Sequence, residues 1–159
     1  MRDEIVRRRQ AAADHNGSRI SVIEIGGTVG DFQNALFIEA ARYLKMQQPE
    51  DVLFVMVSYL PVPGTLGEMK TKPTQHAISM LNAYGVQADI IVARSTHALD
   101  QKRKQKLAIG CNVKPEYVIS APDIKSIYEA PLNFEKDKLG DLLLDALKLP
   151  AKKKASLAA

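Results

Sequence analysis

Short apolar runs are spread along the chain, and each predicts a buried strand. They cover residues 20–25, 52–60, 90–93 and 117–120. Helical periodicity occupies residues 34–46, 74–84, 99–109 and 138–147, with Gly85 as the expected stop of the second helix. The run 52–60 is almost continuously apolar, as strands covered on both faces of a parallel sheet tend to be. This alternation predicts an α/β fold, a mostly parallel sheet with helices on both faces.

The composition is that of one globular domain in a reducing compartment. Of the 159 residues, 46% are hydrophobic and 25% are charged, which suffices for a sizeable core. Much of the excess positive charge lies in residues 7–9 and 152–154, so the net charge of +4 says little about partners. The single cysteine, Cys111, cannot form an internal disulfide, and no run reaches the ~20 apolar residues of a membrane helix. We therefore expect a cytoplasmic protein without membrane contact.

A glycine-rich turn follows the first predicted strand. Its sequence, EIGGTVGD, begins at Glu24, and its three glycines let the backbone turn sharply and approach a ligand closely. Glu24 stands near the end of an apolar run, where a hard cation such as Mg²⁺ would stabilise a buried carboxylate. An exposed acid on an edge strand is an equal alternative. The turn is not a P-loop, because it lacks the Gly-Lys-Ser/Thr of that motif.

A long irregular loop, residues 61–73, follows the second predicted strand and ends in the sequence KTKPTQ. Loops of this length in a compact domain are often functional. The hexapeptide brings two lysines, two hydroxyls and an amide to the start of a helix, where free backbone N–H groups and the helix dipole attract phosphate. This combination suits a polyphosphate. The alternative is an ordinary capped helix with two solvated lysines.

The remaining candidate side chains indicate no chemistry by themselves. The basic run of residues 102–106 is typical of a solvated helix face, and it has no interleaved aromatics that would suit nucleic acid. Cys111 is flanked by apolar residues, which favours a buried, inert thiol. The three histidines, His15, His76 and His97, show neither triad nor metal spacing.

Three segments in order resemble successive signatures of the CTP synthases: GGTVGD, GEMKTKPTQH and CNVKPEYVISAPDIKSIYEAPL. Together they span most of residues 20–132. The resemblance implies a P-loop-like α/β synthetase domain. It also implies the family's reaction, in which ATP phosphorylates the 4-oxygen of UTP and ammonia from glutamine displaces the phosphate to give CTP. ATP as co-substrate, Mg²⁺ and a homotetramer belong to the same expectation.

The resemblance assigns roles to particular residues. Glu24 would be a Mg²⁺ ligand shared with the ATP phosphates. The UTP triphosphate would lie across a subunit interface against Lys70, Thr71, Lys72, Pro73, Thr74, Gln75 and Lys106. The inhibitor CTP would share that triphosphate site and place its base against Asp31, Phe32 and Gln33. The ATP adenine or ribose would lie along Pro122, Asp123 and Ile124.

The chain departs from the family pattern in several places. Neither the phosphate loop with its lysine nor the glutaminase domain is found, so we expect residues 1–149 to be part of a synthetase domain, residues 150–159 to be a linker, and the isolated chain to be inactive. Gln33 and Gly110 stand where the family usually has Glu and an aromatic residue, which predicts a weak response to CTP. The alternatives are a non-catalytic nucleotide-binding or regulatory module, a structural fragment that associates through a sheet edge, or another P-loop amide ligase, which KTKPTQ disfavours.

Overall fold

A computed structural model describes residues 2–64 and 67–150 of the chain. The predicted linker, residues 150–159, therefore lies outside the described residues except for Pro150. The helices are α1 (Arg2–Asn16), α2 (Ala35–Gln47), α3 (Lys72–Ala83), α4 (Gln101–Cys111), α5 (Ala130–Lys136) and α6 (Leu139–Ala146). The strands are β1 (Val55–Tyr59), β2 (Ile90–Ser95) and β3 (Val118–Pro122). Short 3₁₀ turns precede α2, β3 and α5.

The described strands form one parallel sheet in the order β1-β2-β3. Val55 is paired with Ile90, and Ile91 with Val118, so all three strands point the same way. Helix α3 connects β1 to β2, and helix α4 connects β2 to β3. Neighbouring parallel strands need such crossovers, because the chain must return from the end of one strand to the start of the next, which a tight turn cannot do. The predicted α/β class is confirmed.

Apolar side chains cover both faces of β2. On one face Ile91 and Ala93 pack with Ile78 of α3 and Leu107 of α4. On the other face Ile90, Val92 and Ile119 form a smaller cluster, against which α5 and α6 pack. Residues successive along a strand point to opposite faces, so a continuous apolar run such as 90–93 fills both clusters. The prediction of helices on both faces is confirmed.

The prediction of a strand at residues 20–25 is wrong for the described structure. No strand is assigned there, and the side chains of Ile20, Val22 and Ile23 are largely exposed. A strand is stabilised by hydrogen bonds to a neighbour, and within residues 2–64 and 67–150 the outer edge of β1 pairs with no strand. The apolar pattern indicated a tendency to be buried, but burial also needs a partner.

The strand predicted at residues 52–60 is present in shorter form, as β1, but it is not covered on both faces. Its residues alternate between exposed and partly buried, and Val55, Val57 and Tyr59 are about half exposed. Strand β1 lies at the edge of the described sheet, and the helices that pack on the sheet leave one of its faces open.

Two helices were not predicted, for different reasons. Helix α1 is mostly polar, and its apolar residues form no stripe, so no periodicity marks it. Its surface carries local ion pairs instead, from Glu4 to Arg7 and Arg8, and the carboxyl pKa of Glu4 is lowered by these hydrogen bonds. Helix α5 has only seven residues, too few for a helical period to be recognised.

No helix in the described part of the chain is long and apolar enough to cross a membrane.

One lysine of the basic run on α4 is not solvated, which corrects the interpretation of that run. Lys104 Nζ lies 2.6 Å from Asp137 Oδ1, and the two side chains are only 15% and 21% exposed. The other carboxylate oxygen, Asp137 Oδ2, accepts a hydrogen bond of 2.6 Å from the backbone N–H of Ser120 in β3. The hydroxyl Oγ of Ser120 in turn accepts from the N–H of Leu99, just before α4. Asp137 therefore fastens α4 to the middle of β3.

Cys111 is buried at the end of α4, as predicted. Burial raises the pKa of its thiol to about 11, so almost none of it is thiolate at neutral pH. The environment suits an inert core residue.

Candidate nucleotide-binding site

The carboxyl ends of the three strands lie at one edge of the sheet, because the strands are parallel. Hydrogen bonds hold the segments that leave this edge. The hydroxyl Oγ of Ser95, at the end of β2, donates to the carbonyl of Leu60 at 2.8 Å. The N–H of Asp123 donates to the carbonyl of Ser95 at 2.9 Å. The chain leaving β1 and the chain leaving β3 are thus both tied to the end of β2, where ligands of open α/β sheets bind.

The loop after β1 closes on itself before α3 begins. The N–H of Lys70 donates to the carbonyl of Pro61 at 2.9 Å, and that of Gly67 to the carbonyl of Pro63 at 3.0 Å. Residues 65 and 66, at the tip of the loop, lie outside the described structure. Helix α3 then begins at Lys72 with Pro73 in its first turn, where proline's fixed φ is favourable. The predicted helix start is confirmed, two residues earlier than the periodicity indicated.

The two threonines at the start of α3 have different roles. The hydroxyl Oγ1 of Thr74, which is fully buried, lies 2.9 Å from Ser58 Oγ of β1 and so joins the helix to the sheet. Thr71 occupies the N-cap position, yet its side chain makes no capping hydrogen bond. Thr71 is only 4% exposed, and its Oγ1 atom is buried without a hydrogen-bond partner among the described residues. A buried unpaired hydroxyl is costly, so the Thr71 hydroxyl needs a partner that the described residues do not supply, such as a bound water or a ligand.

The structure brings positive charge from two elements to this end of α3. Lys70 Nζ lies 2.6 Å from Glu68 Oε2, and Lys72 is exposed in the first turn. The pKa of the Glu68 carboxyl is lowered, chiefly by the hydrogen bond and charge of Lys70 and further by the charges of Arg103 and Lys106. Of these contributions, those of Arg103 and Lys106 on α4 are the smallest. Glu68 itself was not singled out in the sequence, since an acid beside two lysines is commonplace.

Helix α4 lies against α3 at Gln75. A Cβ atom at Gly110 would fall 2.6 Å from Gln75 Nε2, so the amide lies directly on the backbone of α4. Lys106 precedes Gly110 by four residues and shares its helix face. Helices α3 and α4 both begin near the carboxyl ends of the strands. Lys106 on α4 and Thr71 just before α3 therefore both lie nearer to those strand ends than the contact between Gly110 and Gln75 does. The predicted triphosphate residues before and on α3 and Lys106 on α4 thus lie towards the same end of two neighbouring helices, and Thr74 and Lys70 already have partners within the chain.

The glycine-rich turn packs on a later part of α3. Gly30 has φ 102°, which favours glycine, and a Cβ there would displace Met80 Cε, the flexible end of that side chain. Asp31 Oδ2 accepts a hydrogen bond of 2.8 Å from the N–H of Thr28, which closes the turn. Phe32 is 94% exposed and Gln33 is exposed as well. The segment predicted to contact the inhibitor's base is therefore accessible and adjacent to α3.

Glu24 is exposed, so its interpretation as a buried carboxylate is wrong. The apolar residues beside it lack the sheet neighbour that would bury them. Within the described ranges, no group of three or more His, Cys, Asp or Glu side chains is placed to hold a metal ion. The assignment of Glu24 as a Mg²⁺ ligand stays a prediction.

The segment predicted to contact ATP leaves β3. Pro122 is the last residue of the strand, Asp123 is exposed, and Ile124 is partly buried. This turn lies at the same edge of the sheet as the start of α3, separated from it by the end of β2. Reasoning from residue types did not single out Asp123 and Lys106, because an acid after a strand and a lysine in a basic run are both common, so their assignments rest on the resemblance alone.

Comparison with known proteins identifies the family. Residues 1–149 match the family described as CTP synthase N-terminus. The chain is 46% identical over 149 residues to the CTP synthase of Pyrococcus horikoshii, covering 92% of this chain and 27% of that protein. It is 40% identical over 156 residues to the CTP synthase of Methanothermobacter thermautotrophicus, covering 98% of this chain and 29% of that protein.

These relatives are much longer than the matched region, and the chain spans between a quarter and a third of their length. The match nevertheless covers nearly all of this sequence, and it includes each of the three segments on which the resemblance was based. The chain belongs to the CTP synthase family, and its residues 1–149 correspond to the family's N-terminal region.

Proposed function

We propose that this chain carries the pyrimidine-nucleotide triphosphate site of a CTP synthase, an enzyme of pyrimidine biosynthesis. The reaction would be the ATP-dependent amination of UTP to CTP with ammonia released from glutamine. The observation that carries the proposal is the buried, unpartnered hydroxyl of Thr71 at the N-terminus of α3, with lysines of α3 and α4 nearby. A triphosphate would accept hydrogen bonds from all of these groups.

The first turn of α3 would supply most of the binding. Its free backbone N–H groups and its dipole favour an anion, and the Thr71 hydroxyl would donate to a phosphate oxygen. Lys72 and Lys106 would add charge-assisted hydrogen bonds from two sides. Lys70 would first have to leave Glu68, so its contribution is smaller. Pro73 fixes the first turn, Thr74 anchors it to β1, and Gln75 would reach the nucleotide from the second turn.

The other assignments follow from family membership. Pro122, Asp123 and Ile124 would contact ATP, and Asp31, Phe32 and Gln33 would contact the base of CTP as an inhibitor. Mg²⁺ is commonly bound by one or two carboxylates together with substrate phosphates, and an exposed Glu24 fits one such ligand. Bound Mg²⁺ would neutralise phosphate charge, and this chain would supply one carboxylate oxygen to it.

We further propose that the chain acts in a cytoplasmic homo-oligomer, a tetramer as in the family, and that residues 150–159 lead towards a glutaminase domain. The exposed apolar side chains of β1 and of Leu36 and Phe37 on α2 support association. The same surface is the observation that favours the second candidate function, a structural module that associates without catalysis.

Calorimetric titration of the 159-residue chain with UTP and with uridine tests the proposal. UTP is expected to bind at least about tenfold more tightly, because loss of even one charge-assisted hydrogen bond of about 1.5 kcal/mol changes affinity by that factor. Incubating the same preparation with UTP, ATP, Mg²⁺ and ammonia tests the predicted inactivity of the isolated chain. Equal affinity for UTP and uridine would contradict the triphosphate site, and CTP formation would contradict the predicted inactivity.

A further inference from the structure

Residues 20–25, with the sequence ISVIEI, have the composition of a buried strand but pair with no strand of the described structure. Val22 is 94% exposed, and Ile20 and Ile23 are at least half exposed. No backbone hydrogen bond joins this segment to other described residues. β-Branched residues favour strands, and a strand needs a neighbour to satisfy its N–H and C=O groups. Segment 20–25 therefore lacks a strand partner.

Strand β1 lacks a partner as well. Its outer edge pairs with no strand within residues 2–64 and 67–150. Val55 and Val57 are in register with Ile90 and Val92 of β2, so they share the face of the sheet on which α5 and α6 pack. On β1 that face is left open. An exposed edge with apolar side chains is a template on which another strand can pair.

Segment 20–25 of a second copy suits this edge. Its six residues match the five residues of β1 in length, and they are mostly apolar. Residues 151–159, which lie outside the described structure, contain three lysines and a single large apolar residue, Leu157. Lysine on a strand edge opposes pairing. Every copy of the chain carries both the unpaired segment and the unpaired edge, so two copies can complete each other.

Charges at the ends of the two elements favour one direction of pairing. Arg19 precedes the segment, and Glu24 lies near its carboxyl end. Asp51 precedes β1, and Lys72 follows its carboxyl end at the start of α3. All four residues are exposed. Parallel pairing brings opposite charges together at both ends, whereas antiparallel pairing brings like charges together, which is unfavourable.

We propose that two copies of this chain associate by exchanging segment 20–25, which pairs in parallel with the outer edge of β1 in the other copy. The same contact is made twice about a twofold axis, as in most homodimers. A standard interface buries about 1,600 Å² with 20–30 residues a side. Here each copy contributes the six residues of the segment and the five of β1, so the dimer is small and dissociates on dilution. No side chain assigned to the triphosphate belongs to the paired strands, so the contact is independent of nucleotide binding.

Sedimentation velocity of the 159-residue chain, from micromolar to near-millimolar protein, tests the association. The unaltered chain is expected to form a dimer as its concentration rises. Val22→Lys and Val57→Lys should each weaken association by at least about tenfold, because each places a charge in an apolar contact. Ile109→Lys is the matched control: it adds the same charge at an apolar residue of α4 that is 85% exposed, and it should leave association unchanged.

An equimolar mixture of the Val22→Lys and Val57→Lys variants distinguishes exchange between copies from pairing within one chain. A homodimer of either variant has no intact contact, whereas the mixed dimer keeps one, between the segment of one copy and β1 of the other. The mixture is therefore expected to associate more strongly than either variant alone. No gain on mixing would overturn the exchange.

Introduced cysteines report the direction of pairing without the lysine variants. A chain with Ile20→Cys and a chain with Val55→Cys should form a mixed disulfide, identified by mass, because neighbouring strands lie about 5 Å apart. Tyr59→Cys is the matched control, since residues 55 and 59 are about 13 Å apart along β1 and parallel pairing leaves residue 59 far from residue 20. The buried Cys111 is common to every variant and sets the background.

The outcomes separate this contact from the triphosphate site. A chain that stays monomeric at every concentration, a link from residue 20 to residue 59 in preference to residue 55, or links no more frequent than background would overturn the exchange. A preference for UTP over uridine would still support the triphosphate site in each of these cases. Dimers with the predicted link and no such preference would leave the exchange standing and overturn the triphosphate site.

Discussion

Replacing Lys72 with Ala is expected to weaken UTP binding by about ten- to a hundredfold. Lys72 is exposed in the first turn of α3, beside the buried hydroxyl of Thr71. Its removal deletes a charge-assisted hydrogen bond worth about 1.5–3 kcal/mol. Lys106→Ala should have an effect of the same size, whereas Lys70→Ala should have a smaller one, since Lys70 must leave Glu68 to bind. Calorimetric titration at one fixed ionic strength measures all three.

The matched control is Lys102→Ala. Lys102 is exposed on the same helix as Lys106, and its removal changes the net charge of the chain by the same amount. Lys102 has no assigned role in the predicted site and its charge is exposed to solvent, which screens it at about 0.15 M salt, so Lys102→Ala should leave UTP affinity within about twofold. If Lys102, Lys72 and Lys106 variants all lose affinity equally, general basicity rather than a site accounts for the binding.

Replacing Asp137 with Ala is expected to lower the free energy of unfolding by about 2–4 kcal/mol. The substitution removes both hydrogen bonds of the carboxylate and leaves the ammonium of Lys104 and the N–H of Ser120 largely buried without this partner. Unpaired buried charges and donors are costly because they have lost water as well. Urea unfolding followed by circular dichroism gives the change in midpoint and in slope.

Asp145→Ala is the control for that measurement. Asp145 is an exposed carboxylate on α6, and its removal should change stability by no more than about 0.5 kcal/mol. The assignment of Asp137 as the residue that fastens α4 to β3 would be wrong if both variants unfolded at the same urea concentration.

The elements that could be predicted from the sequence are those whose residues carry their own signal. The β2 run of Ile90 to Val92 is apolar on both faces, and β2 is indeed central. Helix α3 has an apolar stripe, a proline in its first turn and Gly85 just after its end. For residues 20–25 the apolar pattern was just as clear. A strand also needs a neighbouring strand to bond to, and the local sequence does not show whether one is present.

The site could be predicted only in part, for a similar reason. The sequence KTKPTQ at a helix start indicated phosphate binding through chemistry local to six residues. Contacts between distant residues were missed: Lys104 is paired with Asp137, 33 positions away. The contact of Gly110 with Gln75 likewise depends on how closely α4 approaches α3, which is set by packing rather than by residue type.

The central claim is that the triphosphate of UTP binds at the N-terminus of α3, and an NMR titration of isotope-labelled chain tests it most directly. Adding UTP should shift the backbone amide signals of residues 71, 72, 74 and 75 and of Lys106, with Pro73 silent because it has no N–H. Addition of uridine at the same concentration should shift them far less. Shifts confined to other parts of the chain, such as α5 and α6, with residues 71–75 unchanged, would contradict the claim.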